Sequence, residues 1–294
     1  MFYDMVMVSE PAARITFNVG NGVTLVGDAH GNKDGHPVVL LHGGGQTRYA
    51  WGGTARTLGD AGFYALAIDL RGHGESTWAP NDDYQLRTFA NDLLAVRQQL
   101  GRSITAVGAS LGGLLSLMAE GESDEALLTG LVLVDVAPRM EKAGVTRIIS
   151  FMTGSADDGF ATLDEAADAI AKFLPHRPRP KDLSGLSKNL RKGDDGRYRW
   201  HWDPKFVNRV DGDPTFSKER LDAAAKRLTV PTMLVRGKLS DVLSEEAAAE
   251  FRELVPHTEY VDVANAAHMI AGDKNDVFTD AVVSFLRNYK TAAA

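Results

Sequence analysis

The feature that most restricts how this chain can fold is a series of short, almost unbroken apolar runs. They begin at Pro37 (PVVLLHG), Phe63 (FYALAIDL), Ile104 (ITAVGAS), Leu131 (LVLVDV) and Thr232 (TMLVRG), and a more alternating run, TEYVDVA, begins at Thr258. A strand that is apolar on both sides must be covered on both faces, as in a parallel sheet between two layers of helices. Helical spacing lies between the runs. Leu86, Phe89, Leu93, Val96 and Leu100 recur at three and four residues, and Val277, Ala281, Phe285 and Tyr289 do the same over 274–289. Upstream, residues 14–19 and 23–29 alternate partly and flank Gly20-Asn21-Gly22, which accepts the positive φ of a tight turn and predicts a hairpin. Strands alternating with helices predict an α/β fold with a doubly wound, mostly parallel sheet. In such sheets ligands bind beyond the carboxyl ends of the strands.

The rhythm breaks between 139 and 228. This stretch lacks strand-like apolar runs, carries PHRPRPKD, GDDGRYRWHWDP and VDGDP, and shows helical patterns near 145–152, 163–173 and 183–190. It reads as a helical cap laid over the strand ends, which divides the chain into a core of residues 1–138 and 229–294 and a cap of residues 139–228. The terminal TAAA reads as a frayed end.

Composition works by exclusion. The chain has 294 residues and a net charge of -7, which disfavours nucleic acid or an anionic membrane as partner and leaves a small molecule as the expected one. The absence of cysteine removes disulfides, thiolate zinc sites, iron–sulfur clusters and a thiol nucleophile together. The opening MFYDMVMVSEP lacks the basic start and apolar core of a signal peptide, and no apolar run approaches the roughly 20 residues of a membrane span, so a soluble, cytoplasmic protein is expected.

The strongest local signal is Gly108-Ala109-Ser110-Leu111-Gly112-Gly113, between the strand ITAV and the helical run LLSLMAEG. A G-x-S-x-G sequence in a strand–turn–helix setting holds the serine on a tight turn with its hydroxyl projecting from the sheet. Glycines two residues to either side let strand and helix approach, and the helix N-terminus favours a developing oxyanion. Ser110 is therefore the expected nucleophile.

With LHGGG after the first long strand and DLRGHGES from Asp69 to Ser76, the chain resembles the α/β-hydrolase superfamily over nearly its whole length. The resemblance implies an oxyanion hole made by the backbone N–H of Leu111 and one from His42-Gly43-Gly44-Gly45, with Gly44 the expected donor and Gly45 the alternative. It implies His268 as base, since among the eight histidines only this one follows the last strand and precedes the last helix. His42 is expected to hold its loop by hydrogen bonding, and His73 and Asp69 to be structural. His201, between two tryptophans, reads as packed or solvated, with substrate contact as the alternative.

The acid has two candidates. Asp241 follows the TMLVRG strand, where most of the superfamily keeps it, but Ser240 occupies the usual position and Asp241 stands one place late. Asp135 ends LVLVDV, and some branches, including haloalkane dehalogenases and 2-(acetamidomethylene)succinate hydrolase, place their acid there. VRGKLSDVLS and VDVAP resemble segments of the latter enzyme. Asp135 is favoured, because an aspartate ending a buried strand needs a partner. The implied chemistry is acyl transfer without metal or organic cofactor. The aspartate nucleophile of epoxide hydrolases and haloalkane dehalogenases is replaced here by serine, so a carboxylic ester is the first expectation. Amide or carbon–carbon bond hydrolysis, cofactor-free perhydrolysis and a non-catalytic ligand-binding protein are the alternatives. Trp200 and Trp202, with Tyr198, are the expected apolar contacts to substrate.

Overall fold

A computed structural model describes residues 12–154, 158–175, 179, 181–210, 213, 215–270 and 276–290 of the chain. The opening MFYDMVMVSEP, in which no signal peptide is expected, and the terminal TAAA lie outside the described residues. The apolar runs form β3 (His36–Leu41), β4 (Phe63–Ile68), β5 (Ile104–Ala109), β6 (Leu128–Val134), β9 (Thr232–Gly237) and β10 (Glu259–Val263). The expected hairpin is β1 (Ala13–Gly20) and β2 (Val23–His30), turning through Asn21 at φ 51° and Gly22 at φ 75°. Together they make one eight-stranded sheet in the order β1-β2-β4-β3-β5-β6-β9-β10. The pairs from β4 through β10 are parallel, and β1 and β2 add two antiparallel pairings at one edge.

All six residues of β4 and of β5 are buried, as the unbroken runs require. The two-residue period divides each strand between two cores. Val39 and Leu41 join one cluster with Phe89 and Leu93 of α2 (Leu86–Leu100) and with Leu114 and Leu117 of α3 (Leu111–Gly121). Val38 and Leu40 join the other, with Leu58 of α1 (Gly52–Asp60) and Phe278 and Val282 of α9 (Asp276–Lys290). From β3 the chain steps outward to β4, then returns past β3 to β5. That reversal leaves a crevice at the carboxyl ends of β3 and β5, the place where a doubly wound sheet takes a ligand.

Between β6 and β9 lie α4 (Lys142–Thr153), α5 (Leu163–Phe173), a 3-10 turn at Ser184–Lys188, β7 (Leu190–Lys192), β8 (Tyr198–Trp200), α6 (Pro204–Val210) and α7 (Lys218–Lys226). The β7–β8 hairpin adds two short strands to the stretch read as a helical cap. Its strands are three residues long, too short to show an apolar run, and each has an arginine at its centre, yet Leu190 pairs with Trp200 on the buried side. A bridge from Phe160 to Tyr198 extends it. The last helix of the stretch, α7, packs against α3 and against α8 (Glu245–Leu254). Among the described residues no helix is long and apolar enough to cross a membrane.

The turn after β4 is tied to α2 by a buried ion pair. Arg71 donates Nε to Asp92 Oδ2 at 2.6 Å and Nη2 to Asp92 Oδ1 at 2.5 Å. Burial raises the Asp92 carboxyl above its ordinary value, against the pull of Arg71. Removing one partner of such a pair strands the other charge, so Asp92→Ala should lower unfolding stability by about 3–5 kcal/mol, read by urea denaturation. A loss below 1 kcal/mol would show that the pair does not hold this turn.

Candidate active site

Ser110 sits between the end of β5 and the start of α3 with φ 46° and ψ -114°, a backbone that a residue with a Cβ rarely adopts and that costs about 1–3 kcal/mol. Its surroundings leave little choice. A Cβ on Gly108 would lie 2.3 Å from the backbone of Gly112, and one on Gly112 would lie 2.3 Å from the Leu41 carbonyl, so strand and helix meet closely only because both positions are glycine. The Ser110 carbonyl accepts from Gly113 and Leu114, which opens the helix. Leu111, at the first helical position, is left with an N–H that has no partner among the described residues.

Asp135 follows β6 with φ 53° and is fully buried. Its Oδ1 accepts from the Gly237 N–H at 2.9 Å, and its Oδ2 accepts from Ser240 Oγ at 2.5 Å and from His268 Nδ1 at 2.6 Å. Ser240 must donate here, because its oxygen already accepts from the Val242 and Leu243 N–H groups at 3.1 Å each. Gly237 serves twice. Its N–H reaches Asp135, and without a Cβ it admits the Ala266 and Ala267 carbonyls, which bring His268 alongside. Of the two acid candidates, the structure brings Asp135 to the imidazole. The Asp241 carboxylate instead bonds Arg147 Nε at 2.8 Å. Burial works to raise the Asp241 carboxyl, but the Arg147 guanidinium outweighs it and holds the group below its ordinary value. Ser240 was legible only as the residue in the usual acid position, not as a donor to the acid's carboxylate.

The loop after β3 is shaped by imidazoles. Leu70 N–H donates to His42 Nε2 at 3.0 Å, so His42 carries its proton on Nδ1 and donates it to the Gly43 carbonyl at 2.8 Å. In a planar trans peptide the N–H points opposite to the C=O. Anchoring the Gly43 carbonyl therefore turns the Gly44 N–H the other way, and it has no partner among the described residues. The Gly45 N–H, the alternative donor, is engaged with His73 Nε2 at 3.1 Å. His73 in turn donates Nδ1–H to the Arg71 carbonyl at 2.9 Å. Asp69 is structural as expected, accepting from the Arg48 N–H at 2.7 Å and the Glu75 N–H at 3.0 Å.

Ser110, Gly44, Leu111 and His268 line one cavity of about 190 Å³. Its further walls are almost wholly apolar, with Ile148, Met152, Phe173, Trp202 and Phe206 among them, and among the described residues Arg147 is the one charged residue on it. Trp202 faces this space. Trp200 does not line it but stacks behind Trp202, ring centroids 4.9 Å apart at 10°, with Phe160 edge-on to it at 5.2 Å. Tyr198 is likewise off the wall. His201 is buried, as the packed reading expected, and bonds only backbone. Among the described residues no group of three His, Asp or Glu side chains is gathered closely enough to hold a metal ion.

A sequence model of the alpha/beta hydrolase fold matches residues 36–274. Esterase Rv0045c of Mycobacterium tuberculosis is 30% identical over 245 residues, covering 81% of this chain and 78% of that protein. The sn-1-specific diacylglycerol lipase ABHD11 of Mus musculus is 27% identical over 266 residues, covering 85% of this chain and 80% of the lipase. The crystal structure of E-2-(acetamidomethylene)succinate hydrolase superposes with a TM-score of 0.81 over 94% of this chain and 99% of that one, at 22% identity, a likeness of fold alone.

The buried histidines make stability depend on pH. Burial lowers His42 to about 4; burial, with neighbouring His42 adding to it, lowers His73 to about 3. Between those values and the ordinary 6.5 the unfolded chain binds protons that the folded one refuses, so stability falls as pH drops through this window. The two histidines should each contribute a loss of order 3 kcal/mol between pH 7 and pH 4. Urea denaturation at pH 7, 5.5 and 4.5 checks this, and an unchanged midpoint across that range would contradict it.

Proposed function

The chain belongs to the α/β-hydrolase fold family, and from its site we propose that it is a serine hydrolase cleaving a carboxylic ester of a small apolar molecule through an acyl-enzyme. The observation that carries this reading is the strained Ser110 turn opening into the same apolar cavity as His268, whose Nδ1 is bonded to the buried Asp135 carboxylate at 2.6 Å. In this reading Asp135 fixes the tautomer, so that His268 keeps its proton on Nδ1 and offers Nε2 as base. His268 takes the Ser110 proton as Oγ attacks the substrate carbonyl carbon. The carbonyl π pair moves onto oxygen, and the Gly44 and Leu111 N–H groups, without other partners among the described residues, meet that charge. Collapse expels the alcohol, which leaves with the proton from His268. Water, deprotonated by the same imidazole, then attacks the acyl carbon and releases the acid and Ser110.

The esterase and lipase relatives support an ester over the other acyl substrates, and the apolar wall supports an uncharged chain at the reacting end. Residues 139–228 act as the cap that sets this preference, since α4, α5 and α6 supply Ile148, Met152, Phe173 and Phe206 to the wall.

Fluorophosphonate labelling and a panel of 4-nitrophenyl esters of graded acyl length, with amides and diketones beside them, test the reading. Ser110→Ala should abolish both labelling and turnover, a loss on the order of 10⁶-fold in kcat for a triad nucleophile, while the far-UV spectrum stays unchanged. Hydrolysis within tenfold of the parent would remove Ser110 from the mechanism.

Asp135→Asn should keep the shape but favour the wrong tautomer and lower kcat by up to about 10⁴-fold. Asp241→Asn, which disturbs only a half-exposed pair with Arg147, should cost far less. The reversed order of effects would transfer the acid role to Asp241. Trp202→Ala should shift the preferred acyl length, and a variant with unchanged preference would take Trp202 out of substrate selection.

A further inference from the structure

We propose that His201 is a positioning residue for the oxyanion loop, aiming the Gly44 N–H through two successive peptide planes; this rests on the serine hydrolase reading above. His201 follows β8 and is almost wholly buried. Gly74 N–H donates to its Nδ1 at 2.7 Å, which leaves the ring proton on Nε2, 3.3 Å from the Gly45 carbonyl. That carbonyl shares its peptide plane with the Gln46 N–H. Drawing the carbonyl toward His201 points the Gln46 N–H the opposite way, onto the Gly43 carbonyl at 3.1 Å. The Gly43 carbonyl shares its plane with the Gly44 N–H, which is turned in the opposite sense again. The relay therefore runs from the imidazole through the Gly45–Gln46 peptide to the Gly43–Gly44 peptide.

Two further observations give the imidazole this task. Gly45 has φ +75° and no side chain to restrain it, so the plane it begins depends on its two hydrogen bonds, the Gln46 N–H to Gly43 within the loop and the Gly45 carbonyl to His201 outside it. The segment carrying His201 is held without the ring. The His201 N–H donates to the Asn189 carbonyl at 3.1 Å, the Asp203 N–H donates to the Gly72 carbonyl at 2.8 Å, and Tyr84 donates its hydroxyl to Asp203 at 2.6 Å. The imidazole is thus not required to dock the segment. Its burial also keeps it neutral, with its pKa well below the ordinary value, so Nδ1 stays an acceptor for Gly74.

Two substitutions separate the two ring nitrogens. The amide of His201→Asn reaches the place of Nδ1 and can accept from Gly74, but falls short of Gly45. The amide of His201→Gln reaches the place of Nε2 and can donate to the Gly45 carbonyl. On the 4-nitrophenyl ester the parent turns over best, His201→Asn should lower kcat about tenfold, less than the 10²–10³ of losing an oxyanion donor outright, with KM within about twofold. His201→Gln should recover most of the loss. Amide hydrogen exchange should show Gln46 N–H less protected in His201→Asn than in His201→Gln.

Equal kcat and equal Gln46 protection in the two variants would overturn the proposal, as would losses that follow only the fall in Tm. If the parent cleaves no ester, the serine hydrolase reading fails, and the exchange comparison alone decides whether His201 orders the loop.

Discussion

A carboxylate with no access to water has to be solvated by the protein, and the Asp135 carboxylate is solvated by three segments at once. Gly237 at the end of β9, Ser240 in the loop that follows and His268 beyond β10 each bring one donor to it. The buried charge would be intolerable without them. The parallel pairing of β6 with β9 and of β9 with β10 delivers the three strand ends side by side. The bonds to Asp135 then convert adjacency into a fixed imidazole. The Ser240 hydroxyl completes this arrangement by accepting two backbone N–H groups, which leaves its proton no other destination.

On the neighbouring strand the constraint is of the opposite kind. Ser110 has its backbone bonds to Val134, Gly113 and Leu114, but steric closeness is what restricts its turn: the backbone of α3 lies against that of β5 and β3, and the space at Gly108 and Gly112 is smaller than a methyl group. A loosely packed turn would relax to an ordinary φ and swing the hydroxyl away. The site thus combines an electrostatic anchor on one side with a packing vice on the other, and the sheet holds the two at a fixed separation.

Much of this could be read before folding. The unbroken apolar runs placed the buried strands, the G-x-S-x-G sequence placed the sharp turn, and the position of His268 after the last strand placed the imidazole, because each follows from local pattern and chain order. Asp135 and Asp241 could be separated only by weighing one residue of spacing against the need of a strand-end aspartate for a partner. The geometry agrees with the second argument: Asp135 meets the imidazole and Asp241 goes to Arg147. The parts that escaped have a common cause. The β7–β8 hairpin has only three residues to a strand, and the bonds of His201, Ser240 and Gln46 join positions far apart in sequence or hidden in a turn. No periodicity records such contacts. For the same reason Trp200 and Trp202, adjacent in pattern, could not be distinguished as support and wall.

The three imidazoles around the Gly43–Gly45 loop are all buried and all uncharged, with His73 lying 5.1 Å from His42 and 5.9 Å from His201 between ring centroids. Toward a negative charge that forms beside this loop, these three imidazoles therefore contribute oriented dipoles and no positive charge of their own. Dissolved ions screen charges across solvent and have little hold on fixed dipoles among buried side chains. The resting loop also attracts no counter-ion that an arriving substrate would have to displace. Its readiness is insensitive to the salt of its surroundings.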